Sequence, residues 1–282
     1  MPDVRSAWAA KHKFVLPVCA ALLALSLAAL IPARETPAGQ IAAPQGAVIE
    51  AGAAGEHPGL QQPIPFHAGE ELNYRIEWAV YSNAASVTMT VPERRNVYGW
   101  HTWHFRAAIH TLASVRSIFE IDDQFDSYSD AATFETRQFE EYLSEMGRKQ
   151  NEVLHFAADG EASRGPGPTV VVLPGTRDPL DVLYNLRTID WDRTPEFSAP
   201  VYDGKSMYQM TARREDANEP VSVGAGEFST WRISIDLYQY RRLVSGIHFE
   251  IWFANTAGRA PVVIRADLPF GKIRAELISA KY

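Results

Sequence analysis

The strongest constraint on the fold of this 282-residue chain is an alternation of apolar and polar side chains. It recurs in seven segments, at positions 72–78, 85–91, 102–109, 231–238, 247–253, 262–268 and 273–277. A period of two predicts β-strands with one buried face and one wet face. Turn residues at Asp159-Gly160, at Asp203-Gly204 and over 255–258 separate several of these strands. Consecutive strands are therefore expected to pair antiparallel.

Helices are few in this sequence. Asp178 followed by Pro179 predicts a helix start, and the apolar stripe behind it predicts an end near Arg187. A second short helix is predicted over 112–119. Two such helices cannot cover the apolar face of a sheet of about eight to eleven strands. The sequence therefore predicts a mainly β fold with one or two short helices. Its large antiparallel sheet either curls into a half-barrel or barrel or splits into two packed layers.

The concave face of such a sheet is the candidate ligand site. A curled sheet of this size either encloses a cavity for a hydrophobic ligand or is filled by its own aromatic side chains, and the pattern leaves both open. Arg187 is a candidate too, because a cation there either favours the helix dipole or pairs with an acidic ligand headgroup. The other candidate lining residues are Tyr74, Trp78, Met89, Phe105, Ile109, Ile233, Ile235, Phe249, Ile251 and Phe253.

The N-terminal region predicts export. Positive charges precede an apolar run over 14–31, so residues 1–33 have the layout of a Sec-type signal peptide, cleaved after Ala33 or Ala38. The alternative is an uncleaved inner-membrane anchor, because the run is long enough to span a bilayer. Either outcome predicts a periplasmic or exported protein. Residues 34–64, of which 16 of 31 are Ala, Gly or Pro, predict a low-complexity linker, and 65–282 a single β-rich domain.

Cysteine usage and charge restrict the chemistry. The only cysteine, Cys19, lies inside the apolar run, so neither lipidation nor a disulfide is expected. The chain has 27 basic and 34 acidic side chains. Residues 1–33 contain three of the basic and one of the acidic side chains, so the rest of the chain has 24 basic and 33 acidic side chains and a formal charge of −9. This charge argues against nucleic acid or anionic lipid headgroups bound through general electrostatics. Membrane association is expected only through the N-terminal segment, if it is uncleaved.

No motif indicates catalysis or a metal. His101 and His104 would point to opposite faces of a strand, and His104 and His110 would lie about 20 Å apart. The acidic segment 120–130 lacks the glycine and terminal glutamate of a calcium loop and predicts a solvated strand, and 141–145 predicts an exposed strand or edge. The alternation supplies no polar cluster inside the sheet, and no serine or cysteine motif occurs. We therefore predict a non-enzymatic protein with no catalytic residue, metal or cofactor.

Several short motifs carry a resemblance through their order and spacing. They are Phe66, Gly69-Glu70, Leu72, Tyr74 and Trp78, then 181–187, then Trp252, Pro261 and Gly271. Together they resemble the bacterial exported proteins of the domain-of-unknown-function family 3108, over about 65–282. The resemblance implies export and a β-rich domain, without catalytic residues. The C-terminal motifs are also similar, at the level of fold, to periplasmic lipoprotein carriers and their half-barrel relatives.

Two functions follow from these observations. The first is a non-enzymatic exported cell-envelope protein that binds a lipid or another hydrophobic ligand in the concave face of its sheet. The alternative is a structural or assembly factor of the envelope that binds another protein through its outer sheet face or an edge.

Overall fold

The computed structural model describes residues 63–157, 160–164, 169–215, 218–269 and 271–282. The predicted signal (1–33) and almost all of the predicted linker (34–64) lie outside the described residues, as does Asp159. The helices of the described part are α1 (Ala113–Arg116) and α2 (Pro179–Thr188). Its strands are β1 (Glu71–Trp78), β2 (Tyr81–Val97), β3 (Trp100–Thr111), β4 (Asp122–Asp130), β5 (Thr136–Glu145), β6 (Arg148–Phe156), β7 (Glu161–Ser163), β8 (Thr169–Val171), β9 (Glu196–Tyr202), β10 (Met207–Arg214), β11 (Glu219–Val223), β12 (Gly226–Gln239), β13 (Arg242–Leu243), β14 (His248–Ala254), β15 (Pro261–Leu268) and β16 (Gly271–Lys281).

These strands form one large antiparallel sheet that is mostly a meander. Its order is β8-β7-β6-β5-β4-β3-β2-β1-β16-β15-β14-β12-β10-β9, and β11 and β13 pair with β12 beside this path. The sheet is curled, as the sequence predicted, and among the described residues no pairing between its end strands closes it. Register shifts at Asn73/Tyr74, between β1 and β16, and at Thr90/Glu93, between β2 and β3, contribute bends to the curl.

Apart from Ile247, the alternating segments lie in strands of this sheet, and their apolar side chains pack in one main core, except for Val262, which lies in a smaller cluster with Trp252, Ala254 and Val263. Two predictions about the middle of the chain were wrong. β4 is not a solvated strand, because Asp123, Asp126 and Asp130 are buried. β5 is not an edge, because it pairs with β4 and β6 and buries Glu141. Their many acidic residues suggested exposure, and pairing on both sides removes these residues from water.

Helix α2 lies inside the curled sheet and packs against its apolar concave face. As predicted, Asp178 caps its start, where the side chain accepts hydrogen bonds from the backbone N–H groups of Leu180 and Asp181. Every residue from Pro179 to Arg187 is buried, although the helix is only ten residues long. The predicted second helix is a single turn, α1.

The residues before α2 bridge the gap between two sheet regions. The backbone of Arg177 exchanges hydrogen bonds with β9, donating to Pro200 and accepting from Tyr202. The preceding Thr176 carbonyl accepts from Thr136 at the start of β5, at 3.3 Å. The extended pair Thr176-Arg177 therefore connects β5 to β9 where no strand does.

The sheet has two ends that differ in what covers them. At one end, which we call the helix end, α2 passes between Thr136 at the start of β5 and Gly258 in the β14–β15 loop. The other end, the turn end, consists of the turns that follow β1, β3, β5, β9, β12 and β15. Contacts join these turns to one another: Met146 donates its N–H to Glu120, Phe119 packs on Trp78, and Ala79 donates to Lys272.

Candidate functional site

The residues predicted to line the concave face are buried in one continuous core. Ten of the eleven candidates are buried, and Trp78 is half-buried at the margin of the same core. Phe105 stacks on Tyr184 of α2, with ring centroids 3.9 Å apart, so the helix occupies space over the sheet that a ligand would need. The predicted ligand site stays a prediction, and a ligand there would have to displace α2 or these side chains.

Arg187, the charged candidate, is fully buried at the helix end and has an internal anion. Its two terminal nitrogens donate to the two carboxylate oxygens of Glu70, at 2.6 and 2.8 Å, and one of them also donates to the carbonyl oxygens of Pro65 and Gly258. Burial lowers the pKa of Arg187, but the hydrogen bonds to Glu70 outweigh this and hold it above its ordinary value. Glu70 therefore forms the ion pair with Arg187 that the sequence analysis considered for the acidic headgroup of a ligand.

A buried polar cluster surrounds the start of α2, although the alternation of the strands indicated no polar cluster inside the sheet. Ser127 donates to Asp178 and Ser129 to Asp181, each at 2.5 Å, and Thr136 donates to both carboxylates. Burial raises the pKa of both Asp178 and Asp181, and the charge of Asp178 raises that of Asp181 further. The cluster fastens α2 to β4 and β5, and its groups are satisfied by one another.

A second group of carboxyls lies on the concave side of β5. Burial, and then repulsion from Glu152, raises the pKa of Glu141 to about 7. Burial, and then Asp123, raises the pKa of Glu145 to about 7, and burial raises that of Asp203 to about 6. These groups are protonated more readily than ordinary carboxyls, because the fold removes them from water without giving each a matched cation.

The histidines do not converge. His104 is buried, and its Nε2 lies 2.5 Å from the Asp126 carboxylate, whereas His101 is exposed. His110 contacts Asp122 instead, at 3.0 Å. Among the residues that the structure describes, no group of three or more His, Cys, Asp or Glu side chains is arranged to hold a metal ion.

The turn end carries a ring of exposed apolar side chains that we call the apolar rim. Tyr240 and Val80 are 91% and 90% exposed, and both stand at turn tips. The complete rim consists of Val80, Ile118, Met146 and Tyr240, which come from four separate turns, and Leu243, which lies in β13 directly after the last of them. Periodicity within a strand cannot reveal this ring, because it depends on which turns share an end of the sheet.

Two pairs of cations flank the rim. Arg148 and Lys149 follow Met146 at the start of β6, and Arg241 and Arg242 lie between Tyr240 and Leu243. All four side chains are exposed, and no described carboxylate forms an ion pair with any of them. The exposed surface of the turn end therefore combines apolar tips with unpaired positive charge.

The β2–β3 hairpin, whose turn lies at the helix end, has a related but smaller feature. Tyr98 and Trp100 are exposed at its tip, and a surface groove of about 780 Å³ beside them is lined partly by Arg94 and Arg95. These two arginines lie over the rings of Trp103 and Tyr128. The exposed aromatic side chains here come from a single hairpin rather than from several turns.

The curled, incompletely closed antiparallel sheet defines a β-barrel-like protein. A model of the family described as "Protein of unknown function (DUF3108)" matches residues 73–278, so the chain belongs to this family. The family resemblance identified from the sequence is thereby confirmed.

Three solved structures are similar to this chain. A β-barrel-like protein of the domain of unknown function DUF1849 from Brucella abortus has a TM-score of 0.50 and 11% identity, and the match covers 75% of this chain and 96% of that one. A candidate lipoprotein from Parabacteroides distasonis has a TM-score of 0.38 and 11% identity, over 77% and 98%. A candidate exported protein with a YmcC-like fold from Bacteroides fragilis has a TM-score of 0.30 and 10% identity, over 78% and 98%.

A search of curated protein sequences finds no match. Within the described part of the chain, no helix has both the length and the apolar character to cross a membrane.

Proposed function

We propose that this chain is a non-enzymatic, exported protein of the cell envelope that acts by placing its turn end against a lipid surface. The observation that carries the proposal is the apolar rim. Exposed apolar patches on soluble proteins often mark sites of contact with a membrane or another protein, and here five exposed apolar side chains share one end of the sheet. A lipid surface accepts such tips from separate turns at once, because it has no fixed shape to match.

The packing of the interior favours contact at the rim over carriage of a ligand in the concave face. Helix α2 is buried on every side and is fastened by Asp178 at one end and by Arg187 at the other. Opening a ligand cavity there would break both sets of contacts. Docking at the rim breaks none of them, because Val80 and Tyr240 already face solvent.

Site-specific labelling tests the proposal. The single cysteine, Cys19, allows a Cys19→Ser background in the full chain, into which Leu243→Cys or Tyr98→Cys is introduced for an environment-sensitive fluorophore. With vesicles of phosphatidylcholine and phosphatidylglycerol, we expect a blue shift at position 243 and none at 98. The readout is local, so binding through the N-terminal segment does not imitate it. A shift at 98 alone, or at neither position, contradicts the proposal.

Mass spectrometry of an organic extract separates the two lipid hypotheses. If the purified protein carries lipid in equimolar amount, the concave face is the binding site and the rim is at most an entrance. We expect no equimolar lipid, because α2 and the aromatic side chains already fill the space over the sheet.

A further inference from the structure

The apolar rim and its flanking cations together specify the kind of lipid surface. We propose, as an inference that rests on the proposed function, that the turn end selects anionic phospholipid through the pairs Arg148/Lys149 and Arg241/Arg242. A neutral surface would satisfy the apolar tips alone and would leave the cations without a role. Lipid phosphates would pair with these four cations, which have no anionic partner in the described part of the chain.

Positive charge prevails locally although the whole chain is acidic. The carboxylates of Glu120 and Asp122 are both bound by Arg116, and Asp267 is bound by Lys272. Glu145, next to Met146, is half-buried, and its raised pKa reduces its negative charge near neutrality. The charge that remains beside the rim comes from the four unpaired cations and from Glu77, a half-buried carboxyl of β1 that has no ion pair among the described residues.

This inference differs from the sequence-based expectation that membranes are bound only through the N-terminal segment. A formal net charge of −7 for the chain argues against general attraction to an anionic surface. At the range of a Debye length, roughly 8–10 Å at ordinary salt, the local charge matters more than the total. The two cation pairs lie at the start of β6 and at the β12–β13 turn, which are distant in sequence and in the strand order but belong to the same end of the sheet.

The backbone of one turn supports the inference independently. Tyr240 and Arg241 both have positive φ, 50° and 63°, in a two-residue turn between Gln239 and Arg242. Such turns favour Asn-Gly, because bulky side chains are strained in the left-handed region. The chain nevertheless has a large aromatic residue and an arginine at this exposed tip, the combination that suits a membrane–water interface.

The test varies lipid charge with the label at position 243 as the readout. Each cation held at an anionic surface contributes roughly a fivefold gain in partition. We therefore expect Arg241→Gln/Arg242→Gln to weaken binding to vesicles containing phosphatidylglycerol by at least about tenfold. Arg94→Gln/Arg95→Gln, the matched pair at the helix end, should leave binding unchanged. Raised salt should reproduce the loss.

The outcomes separate this inference from the proposed function. A response at position 243 that is equal on pure phosphatidylcholine and on phosphatidylglycerol-containing vesicles overturns anionic selectivity while the lipid function stands. An effect of the Arg94/Arg95 change as large as that of Arg241/Arg242 also overturns it. No response on any vesicle overturns both.

Discussion

At the helix end, three distant segments meet around one ion pair, whereas at the turn end four turns project apolar side chains into solvent. Arg187 and Glu70 form a two-point ion pair, and the backbone carbonyls of Pro65 and Gly258 accept further hydrogen bonds from one terminal nitrogen of the guanidinium. Val80 and Tyr240, by contrast, are not covered by any residue that the structure describes. The difference indicates that one end is built for stability and the other for contact, and it can be tested by changing each end separately.

The largest expected effect belongs to the helix end. Arg187→Ala leaves the carboxylate of Glu70 buried without its cation, and we expect a loss of about 3–5 kcal/mol in the free energy of unfolding, measured with urea. Replacing both residues by Met should recover much of this loss, because no charge is then left buried. Arg75→Ala, which breaks the partly exposed pair with Glu276 while Arg274 still binds that carboxylate, should cost less than about 1 kcal/mol.

Equal losses for Arg187→Ala and Arg75→Ala would contradict the assignment of stability to the helix end. Vesicle binding should survive Arg187→Ala wherever the protein remains folded, because the rim lies at the opposite end of the sheet.

An intermediate effect is expected at Glu141, a buried carboxyl between the two ends. Its ordinary pKa is 4.5 and burial raises it to about 7. As the pH rises from about 4.5 to about 7, the unfolded chain therefore releases this proton first, and stability is lost across that window. Glu141→Gln should be neutral at pH 4 and stabilising by about 1–3 kcal/mol at pH 8.

Urea unfolding of both proteins at the two pH values checks this prediction. Glu161→Gln is a suitable control, since Glu161 is exposed on β7 and should change stability at neither pH. If Glu141→Gln destabilises at pH 8, the carboxylate has a partner that stabilises its charged form, and the cause given for the raised pKa is wrong.

The two ends also differ in how far the sequence could predict them. The start of α2 follows from Asp178-Pro179, because a cap and an N-terminal proline act within a few residues. The partner of Arg187 is 117 residues away, and no local pattern points to Glu70. In β4, Ser127 and Ser129 face inward to hydrogen-bond with α2, so the alternation that marks other strands fails there.

The apolar rim could not be predicted from the sequence, for a different reason. Each of its residues is an ordinary exposed apolar side chain when considered alone, and such residues are common on protein surfaces. Only the strand order brings Ile118, Met146 and Tyr240 to one end. The resemblance to a family of unknown function carried no site residues that could have indicated the rim.

The variants with the smallest expected effect on stability test whether the apolar rim is a functional contact surface. Tyr240→Asn/Arg241→Gly installs the residues that this turn geometry favours, and it should stabilise the fold by about 0.5–1 kcal/mol. Tyr98→Asn, in a turn at the helix end with φ 51° followed by Gly99, should also stabilise, by a few tenths of a kcal/mol. If the rim is functional, only the change at Tyr240 and Arg241 should reduce vesicle binding, because a strained turn is retained where its side chains are needed. Equal vesicle binding by both variants, each more stable than the parent, would mean that the bulky tip has no role at a lipid surface.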